Sequence, residues 1–467
     1  MKLTSFAFKG NVRRQLGNAV LQDNMKRFGG RFVKARAEAM QQVDNLEALR
    51  LAATQVRDHT LAHLEEYLTA FEDCARKRGT VVHWAETSED VNRIVLNIAA
   101  AGGVSRVVKS KSMVSEETGL NEALASAGIE TIETDLGEYI LQLADEPPSH
   151  IIAPAIHKNL DEVADLFSSR HHTPRQTDIP ALCREAREQL RPHFLSAQMG
   201  ISGGNFLVAE TGSVALVTNE GNGRMVTTLP RIHVAITGIE KVLPTLNDLS
   251  LILRLLTRSA TGQDITNYVS LLTGVRGPDD LDGPVESHVI LVDSGRSGLL
   301  GTDLQPALRC IRCGACMNHC PVYQVVGGHA YGWVYPGPIG AVLTPAYVGL
   351  EKALDLPQAS TLCGACQVVC PVRIPLPELM RVLREKSMER RLRPWTERWL
   401  VMLWRWVAAQ PALYAVVTRW AARVLRWAGG RSGLLHHLPG LDGWTEGRDM
   451  PAPQGQTFRD LYRRKAP

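Results

Sequence analysis

Seven of the nine cysteines fall between Cys310 and Cys370. The first run, CIRCGACMNHCP, sets Cys310, Cys313, Cys316 and Cys320 ahead of Pro321. This C-x2-C-x2-C-x3-C-P spacing is the ligand run of two-cluster ferredoxins. Short intervals let successive thiolates reach different irons of one cluster, while the fourth cysteine leaves on a proline turn toward a neighbouring cluster. The second run, LCGACQVVCP, supplies Cys363, Cys366 and Cys370 ahead of Pro371 and repeats the last three positions of the motif. Ser360 stands where its first cysteine would fall. Crossed ligation puts Cys310, Cys313, Cys316 and Cys370 on one cluster and Cys320, Cys363 and Cys366 on the other. The expected cofactors are two iron–sulfur clusters of the [4Fe–4S] type, the second short of one cysteine. Three completions stay open: a non-cysteine or exogenous ligand, with the Ser360 oxygen one option; a [3Fe–4S] centre; or a remote Cys183 or Cys74.

Other residues offer weaker chemistry. Between the runs, Tyr323, Tyr331, Trp333 and Tyr335 are suited to wall clusters from water, and His329 is a ligand candidate or a polar neighbour. The segment MGISGGNFLVAETGSVALVTNEGNGRMVTTLPRIHVAITG carries Gly203, Gly204, Gly212, Gly221 and Gly223, with Asn205, Glu210, Asn219, Glu220, Asn222 and Arg224 at the ends of its apolar runs. Such loops present backbone N–H groups to an anion, or are simply turns in a mixed sheet. The segment has neither the dinucleotide nor the P-loop fingerprint. Glu210 is a nucleophile candidate on its glycine-flanked position alone. Lys109 and Lys111, with Ser112 and Ser115, make a polar cluster whose plainer reading is exposed basic residues. His59 and His63 are four apart, spaced to share a metal, although ordinary helix side chains explain them as well.

These groups need elements to hold them. Apolar residues at helical spacing, Leu49, Leu51, Val56, Leu61, Leu64, Leu68 and Phe71, predict a helical region over 1–78 that Gly79 ends. From 79 to 300 the runs TVVHW, SRVVKS, TIETD and HIIAPA read as strands alternating with helices such as VNRIVLNIAAAG. That alternation predicts an α/β domain with a largely parallel sheet. The denser runs NFLVAE, SVALVT and RIHVAITG predict an antiparallel or mixed portion. Residues 301–394 form the expected iron–sulfur domain, with a final amphipathic helix ended by Pro394. In 395–467, Trp395, Trp399, Trp404, Trp406, Trp420 and Trp427 alternate with arginines. Such a stretch suits contact with protein or a membrane surface.

Composition narrows the class. With 45% apolar and 21% charged residues over 467, the chain is long enough for two or three folded domains and is neither fibrous nor disordered. A net charge of +4 does not demand a nucleic-acid partner. The start lacks an apolar signal core and no run of 18 uncharged apolar residues occurs, so the expected location is cytoplasmic, with peripheral membrane contact an option. Clustered thiols there read as a metal site rather than disulfides.

The segments ISGGNFLVAETGSVALVTNEGNGRMVTTLP, CIRCGACMNHCPVYQVVGGHAYGWVYPGPIGAVLTP and ASTLCGACQVVCPVRIP together resemble the LutB/YkgF family, the iron–sulfur subunit of the bacterial L-lactate utilisation system. The resemblance covers nearly the whole chain. It implies a lactate-utilisation domain similar to the NagB/RpiA/CoA-transferase-like fold, then an α-helical two-cluster ferredoxin-like module and a helical C-terminal tail. It also implies oxidation of L-lactate to pyruvate in an assembly with a CCG-motif protein and a second lactate-utilisation subunit. In that assembly this chain is an electron carrier toward a respiratory acceptor rather than the catalyst. The same cysteine sets carry over, and Ser360 looks like the family state. Two other readings compete: an oxidoreductase subunit whose α/β domain itself binds the hydroxy acid, and an iron–sulfur redox sensor.

Overall fold

The computed structural model describes residues 2–438, 445 and 448–465. The chain divides into two compact units, one running to Lys386 and one from Ser387.

The first unit begins with helices Phe8–Leu16, Ala19–Gln41, Leu46–Ala62 and Leu64–Lys77. Strands β1 (Thr80–Ala85), β2 (Arg106–Lys109), β3 (Glu130–Glu133), β4 (Met199–Gly203), β5 (Phe206–Val208), β6 (Ser213–Thr218), β7 (Ile232–Gly238), β8 (Val242–Leu243), β9 (Tyr268–Leu272) and β10 (Glu286–Val292) follow. Six of them form one sheet in the order β1-β10-β7-β4-β2-β3, and every pair in it is parallel. A second sheet, β8-β5-β6-β9, is mixed. The dense strand region thus splits: its first two runs join the mixed sheet, while RIHVAITG becomes the buried centre of the parallel one.

Both faces of the large sheet are covered, so its central strand β7 is buried along its whole length rather than on alternate residues. On one face Ile232, Val234 and Ile236 pack with Val91, Ile94, Val95 and Ile98 of helix Ser88–Ala101. On the other, Ala235, Val289 and Leu291 meet Leu64, Leu68 and Phe71. Helix Ser88–Ala101 starts on a reciprocal Thr87–Asp90 capping box, which satisfies its first free N–H groups. Gly200 in β4 is forced by close packing, since a Cβ there would stand 1.9 Å from the Val226 carbonyl oxygen.

HIIAPA, expected as a strand, is a loop. Its backbone donors are taken locally: the His150 Nδ1 accepts from the N–H groups of Ile152 (2.9 Å) and Ala153 (3.0 Å), leaving no free ladder edge. Lys109 is not an exposed base. It is fully buried and donates to Glu133 and, at 3.1 Å, to Glu116, a cluster that closes the strand end.

The cysteine module, from about residue 301, packs onto this domain through a buried ion network. Arg296 is 0% exposed; it donates to Glu117 at 2.8 and 2.9 Å and to Glu240 at 2.8 Å. Tyr335 donates its hydroxyl to Glu117 at 2.7 Å, and Arg312 reaches Glu240 at 3.4 Å. Burial opposes ionisation of Glu240, but Arg296, Lys241 and Arg312 outweigh it and hold the carboxyl down at about 2.

In the second unit, helices Trp395–Ala408 and Pro411–Ala428 meet at a bend of 114°. Among the described residues no single helix is long and apolar enough to cross a membrane, although this bent pair passes such a test together. Trp395, Trp399, Trp404, Trp406, Trp420 and Trp427 are all exposed.

Removing one side of a buried charge network strands the other. Arg296→Met, which leaves Glu117 and Glu240 without their shared partner, is expected to lower unfolding stability by about 3–5 kcal/mol in denaturant titration. A change below about 1 kcal/mol would show that the network does not join the two parts.

Candidate metal centre and adjoining cavity

The two cysteine runs build the same local structure twice. In each, the residue before the first cysteine of the C-G-A-C stretch is left-handed, Arg312 at φ 58° and Leu362 at φ 55°. The glycine after it is left-handed too, Gly314 at 72° and Gly364 at 83°. A one-turn helix follows in each, Ala315–Asn318 and Ala365–Val368. The two positive-φ residues curl the chain so that Cys313 and Cys316, and likewise Cys363 and Cys366, face one centre, and glycine takes the second such position without Cβ strain.

The tertiary structure then crosses the runs. Cys310, Cys313, Cys316 and Cys370 line one small cavity together with Ile151, Ile311, Arg312, Ile339 and Ile374. Cys370, the last cysteine of the second run, is thus carried to the first three cysteines of the other. Electrostatic neighbours give the same grouping: Cys313 is influenced by Cys370 and Cys310, and Cys320 by Cys363. Cys366 is influenced by Cys320 and Cys363. Cys316 also senses Cys366, so the groups are adjacent.

None of the nine cysteines is joined in a disulfide. Burial pushes Cys313 and Cys366 up to about 12 and Cys370 up to about 11, with neighbouring thiols adding to the shift. Cys363 differs: it is exposed, and the Ala365 N–H and Thr361 hydroxyl lower its value. As thiolates these buried sulfurs repel one another unless a cation takes their charge, and a bound metal is what ionises them, so the donor set fits iron. Backbone N–H groups of Arg312, Tyr323 and Ile374 point at the sulfurs of Cys310, Cys320 and Cys370, at 3.4, 3.5 and 3.3 Å. Such bonds favour the thiolate and raise a cluster's potential.

The N-terminal helices hold the second run in place. Arg50 donates to the carbonyls of Cys370 (2.7 Å) and Val368 (2.9 Å), and Arg36 donates to that of Val369 (2.8 Å). Tyr323, Tyr331, Trp333 and Tyr335 are all buried, and the first two lie in the field of Cys316 and Cys320. His329 turns away, its Nε2 bonded to the Pro147 carbonyl at 2.8 Å. The Ser360 hydroxyl accepts the Leu362 N–H at 3.0 Å, holding the turn into the second run. Neither remote cysteine joins the groups: Cys74 donates to the Glu210 carbonyl and Cys183 is exposed. The His59 ring bonds to the Tyr67 hydroxyl at 2.9 Å, and His63 faces Glu66.

A second, larger cavity of about 310 Å³ lies beside the first and shares Ile151, Ile311 and Arg312 with it. It opens at the C-terminal ends of β2, β4 and β7, where Ser110–Val114 and Gly203–Asn205 leave the sheet. Gly203, Gly204, Asn205, Asn219, Glu220 and Asn222 from the glycine-rich segment line it. Glu210 and Arg224 do not; both are exposed, and Arg224 instead stands over the Tyr268 ring. Sequence reasoning missed Ser110, Lys241 and the Ile151–Ile152 loop as parts of this wall. Lys111 and Ser112, from the polar cluster after β2, do line it.

An α/β domain doubly covered around a parallel sheet, joined to a module with two interleaved sets of cysteines, is the class that fold and site define. Family comparison agrees along the chain: residues 68–292 match the LUD domain, 306–374 the 4Fe-4S dicluster domain, and 380–466 the C-terminal region of lactate utilisation protein B. The chain is 44% identical to lactate utilization protein B of Shouchella clausii, over 99% of this chain and 98% of that one. It is 42% identical to the proteins of that name from Oceanobacillus iheyensis, over 100% and 98%, and Geobacillus kaustophilus, over 99% and 98%. The chain belongs to the lactate utilisation protein B family. The crystal structure of a DUF162 family protein from Deinococcus radiodurans overlaps 49% of this chain and 98% of its own, at 13% identity and a TM-score of 0.29, and adds nothing to the fold assignment.

Crossed grouping has a spectroscopic consequence. Cys313→Ser and Cys363→Ser are each expected to lose part of the bound iron and to leave different residual EPR and Mössbauer signatures, because each removes a donor from a different set. Identical residual spectra would refute the grouping.

Proposed function

We propose that this chain is the iron–sulfur electron-transfer subunit of an assembly that oxidises L-lactate to pyruvate. Cys310, Cys313, Cys316 and Cys370 would hold one [4Fe–4S] cluster, and Cys320, Cys363 and Cys366 the second, completed by a non-cysteine ligand or present as [3Fe–4S]. Bound clusters of this kind supply one-electron transfer. The observation that carries the reading is the pair of adjacent thiol groups, one walled in by protein and the other reaching the surface at Cys363. That asymmetry suits a relay with a protected inner end and an outer end open to a redox partner. It is not needed by a purely structural metal site.

The residues of the chain have definable tasks in this reading. Buried tyrosines around Cys316 and Cys320 exclude water, and backbone donors at three sulfurs stabilise negative charge. The partners proposed are a CCG-motif protein, a second lactate-utilisation subunit and a respiratory acceptor at the inner face of the cell membrane. The relatives' printed name supports the lactate role. The tryptophan- and arginine-rich helices support peripheral membrane contact, since indole and guanidinium groups favour the lipid interface.

Low-temperature EPR of the anaerobically co-purified assembly, before and after L-lactate, tests the electron path. Reduced-cluster signals are expected to appear on adding lactate and to weaken in Cys313→Ser. An assembly whose clusters dithionite reduces but lactate does not would defeat the reading. Truncation after Pro394 is expected to lower recovery with the membrane fraction severalfold; unchanged recovery would remove the membrane contact.

A further inference from the structure

The larger cavity sits where α/β proteins place ligands. In an open parallel sheet, ligands bind outside the carboxyl ends of the strands, at the point where neighbouring strands lead off in opposite directions. Here β2 leads outward to the edge strand β3, while its neighbour β4 leads the other way to β7. The loops leaving β2 and β4 form facing walls of the cavity.

The polar groups in those walls are unevenly satisfied. Ser110 is only 3% exposed, yet its hydroxyl has no hydrogen-bond partner although it lines the cavity. An orphaned buried hydroxyl costs on the order of 1–3 kcal/mol unless something else pairs with it. Lys111, the next residue, donates to the Ile152 carbonyl at 3.0 Å, and among the described residues no carboxylate stands within ion-pair distance of its ammonium. The Asn205 side-chain oxygen accepts from the Val217 N–H at 2.9 Å, which leaves its NH2 group as a donor with no protein acceptor among the described residues.

The acids of the same cavity are engaged elsewhere. Glu240 is held by Arg296, and Asp135 caps the helix Leu136–Ala144 through the N–H groups of Gly137 and Glu138. Glu220 accepts from the Leu136 N–H at 3.5 Å and lies in the field of Lys111, beyond ion-pair distance. Lys241 is likewise committed, to the Cys310 carbonyl at 2.9 Å. One cation with no carboxylate at ion-pair distance, one free hydroxyl and one amide donor suit a single negative charge. Asp135 and Glu220, in the same wall, penalise a doubly charged group such as phosphate more than a singly charged one. Ile236 and Leu256 add an apolar wall for a short carbon chain.

We infer that this cavity, with Ser110, Lys111 and Asn205 as its recognition groups, binds a small monocarboxylate carrying a 2-hydroxy or 2-oxo group, one residue layer from the Cys310–Cys313 loop. The inference rests on the lactate reading above but is separable from it. It puts an organic acid in this chain, whereas the relay requires only that electrons arrive from somewhere in the assembly. The shared Ile311 and Arg312 wall keeps such a ligand next to the inner thiol group.

Isothermal titration calorimetry on the iron-loaded full-length chain decides it, with L-lactate, pyruvate and inorganic phosphate as the probes. Saturable binding of at least one acid is expected, weakened tenfold or more by Lys111→Ala and by Ser110→Val, with Lys111→Arg keeping part of the affinity. Cluster absorbance must stay unchanged in the variants, which separates a lost contact from a lost fold. Binding of neither acid to iron-replete protein would overturn the inference, as would equal binding by Lys111→Ala or a phosphate affinity matching that of the acids. If lactate reduces the clusters of the whole assembly while this chain binds no acid, the relay stands and the acid site falls. If the chain binds the acid but lactate reduces no cluster, the acid site stands and the relay falls.

Discussion

The rest of the structure depends on one buried guanidinium. Arg296 follows β10 and has no access to water, so its charge must be met inside the protein. It is met by Glu117, which follows the β2 loop, and by Glu240, which follows β7. Those two carboxylates then carry Tyr335 and Arg312 from the cysteine module. The network therefore ties three strand ends of the large sheet to the loop between Cys310 and Cys313. Desolvation makes a half-formed network worse than none, so the cysteine loop takes one position against the sheet. Tyr347 and Tyr335 stack against Arg296 and Arg312, at 4.7 and 4.6 Å from ring centre to guanidinium carbon, and seal that position.

Thiol crowding is the second constraint, and it pulls in the opposite direction. Burial alone would keep Cys313, Cys316 and Cys370 protonated. The fold nevertheless directs backbone N–H groups to sulfur and spends Arg36 and Arg50 on the carbonyls of the second run. Those two arginines come from the N-terminal helices. The first unit's helical start is thus a brace for the cysteine module as well as a cover for the sheet.

The two constraints together explain why a cavity lies beside the inner thiols. Fixing the cysteine loop over the carboxyl ends of β2, β4 and β7 leaves a space roofed by Ile311 and Arg312. A parallel sheet puts loop backbone and loop side chains at that edge, and the network stops the roof from collapsing onto it. Cysteine module and cavity are therefore products of one packing decision.

Much of this was legible in the chain itself. Within each run the cysteine spacing curls neighbouring thiols toward one centre, a short-range geometry that a few residues encode, and Cys370 stands with the thiols of the first run as the motif predicts. Alternating β-branched and helical runs named the parallel sheet, and clustered strands named the mixed one. The failures share a cause. HIIAPA has the composition of a strand, but a single histidine ring takes its N–H groups and makes it a loop. Lys109 looks like a surface base, but Glu133, 24 residues on, draws it inside. Glu210 looked poised by its glycines, yet its turn is exposed, while Ser110, in a segment with no motif, lines the cavity with an unmet hydroxyl. By itself the sequence determined which thiols turn together within each run and most of the order of helices and strands, since both follow from contacts between near neighbours in the chain. Only the tertiary structure decided which charges are buried together and where the cavity opens. Arg296, Glu117 and Glu240 lie 56 to 179 residues apart, and no local pattern records a partner at that distance.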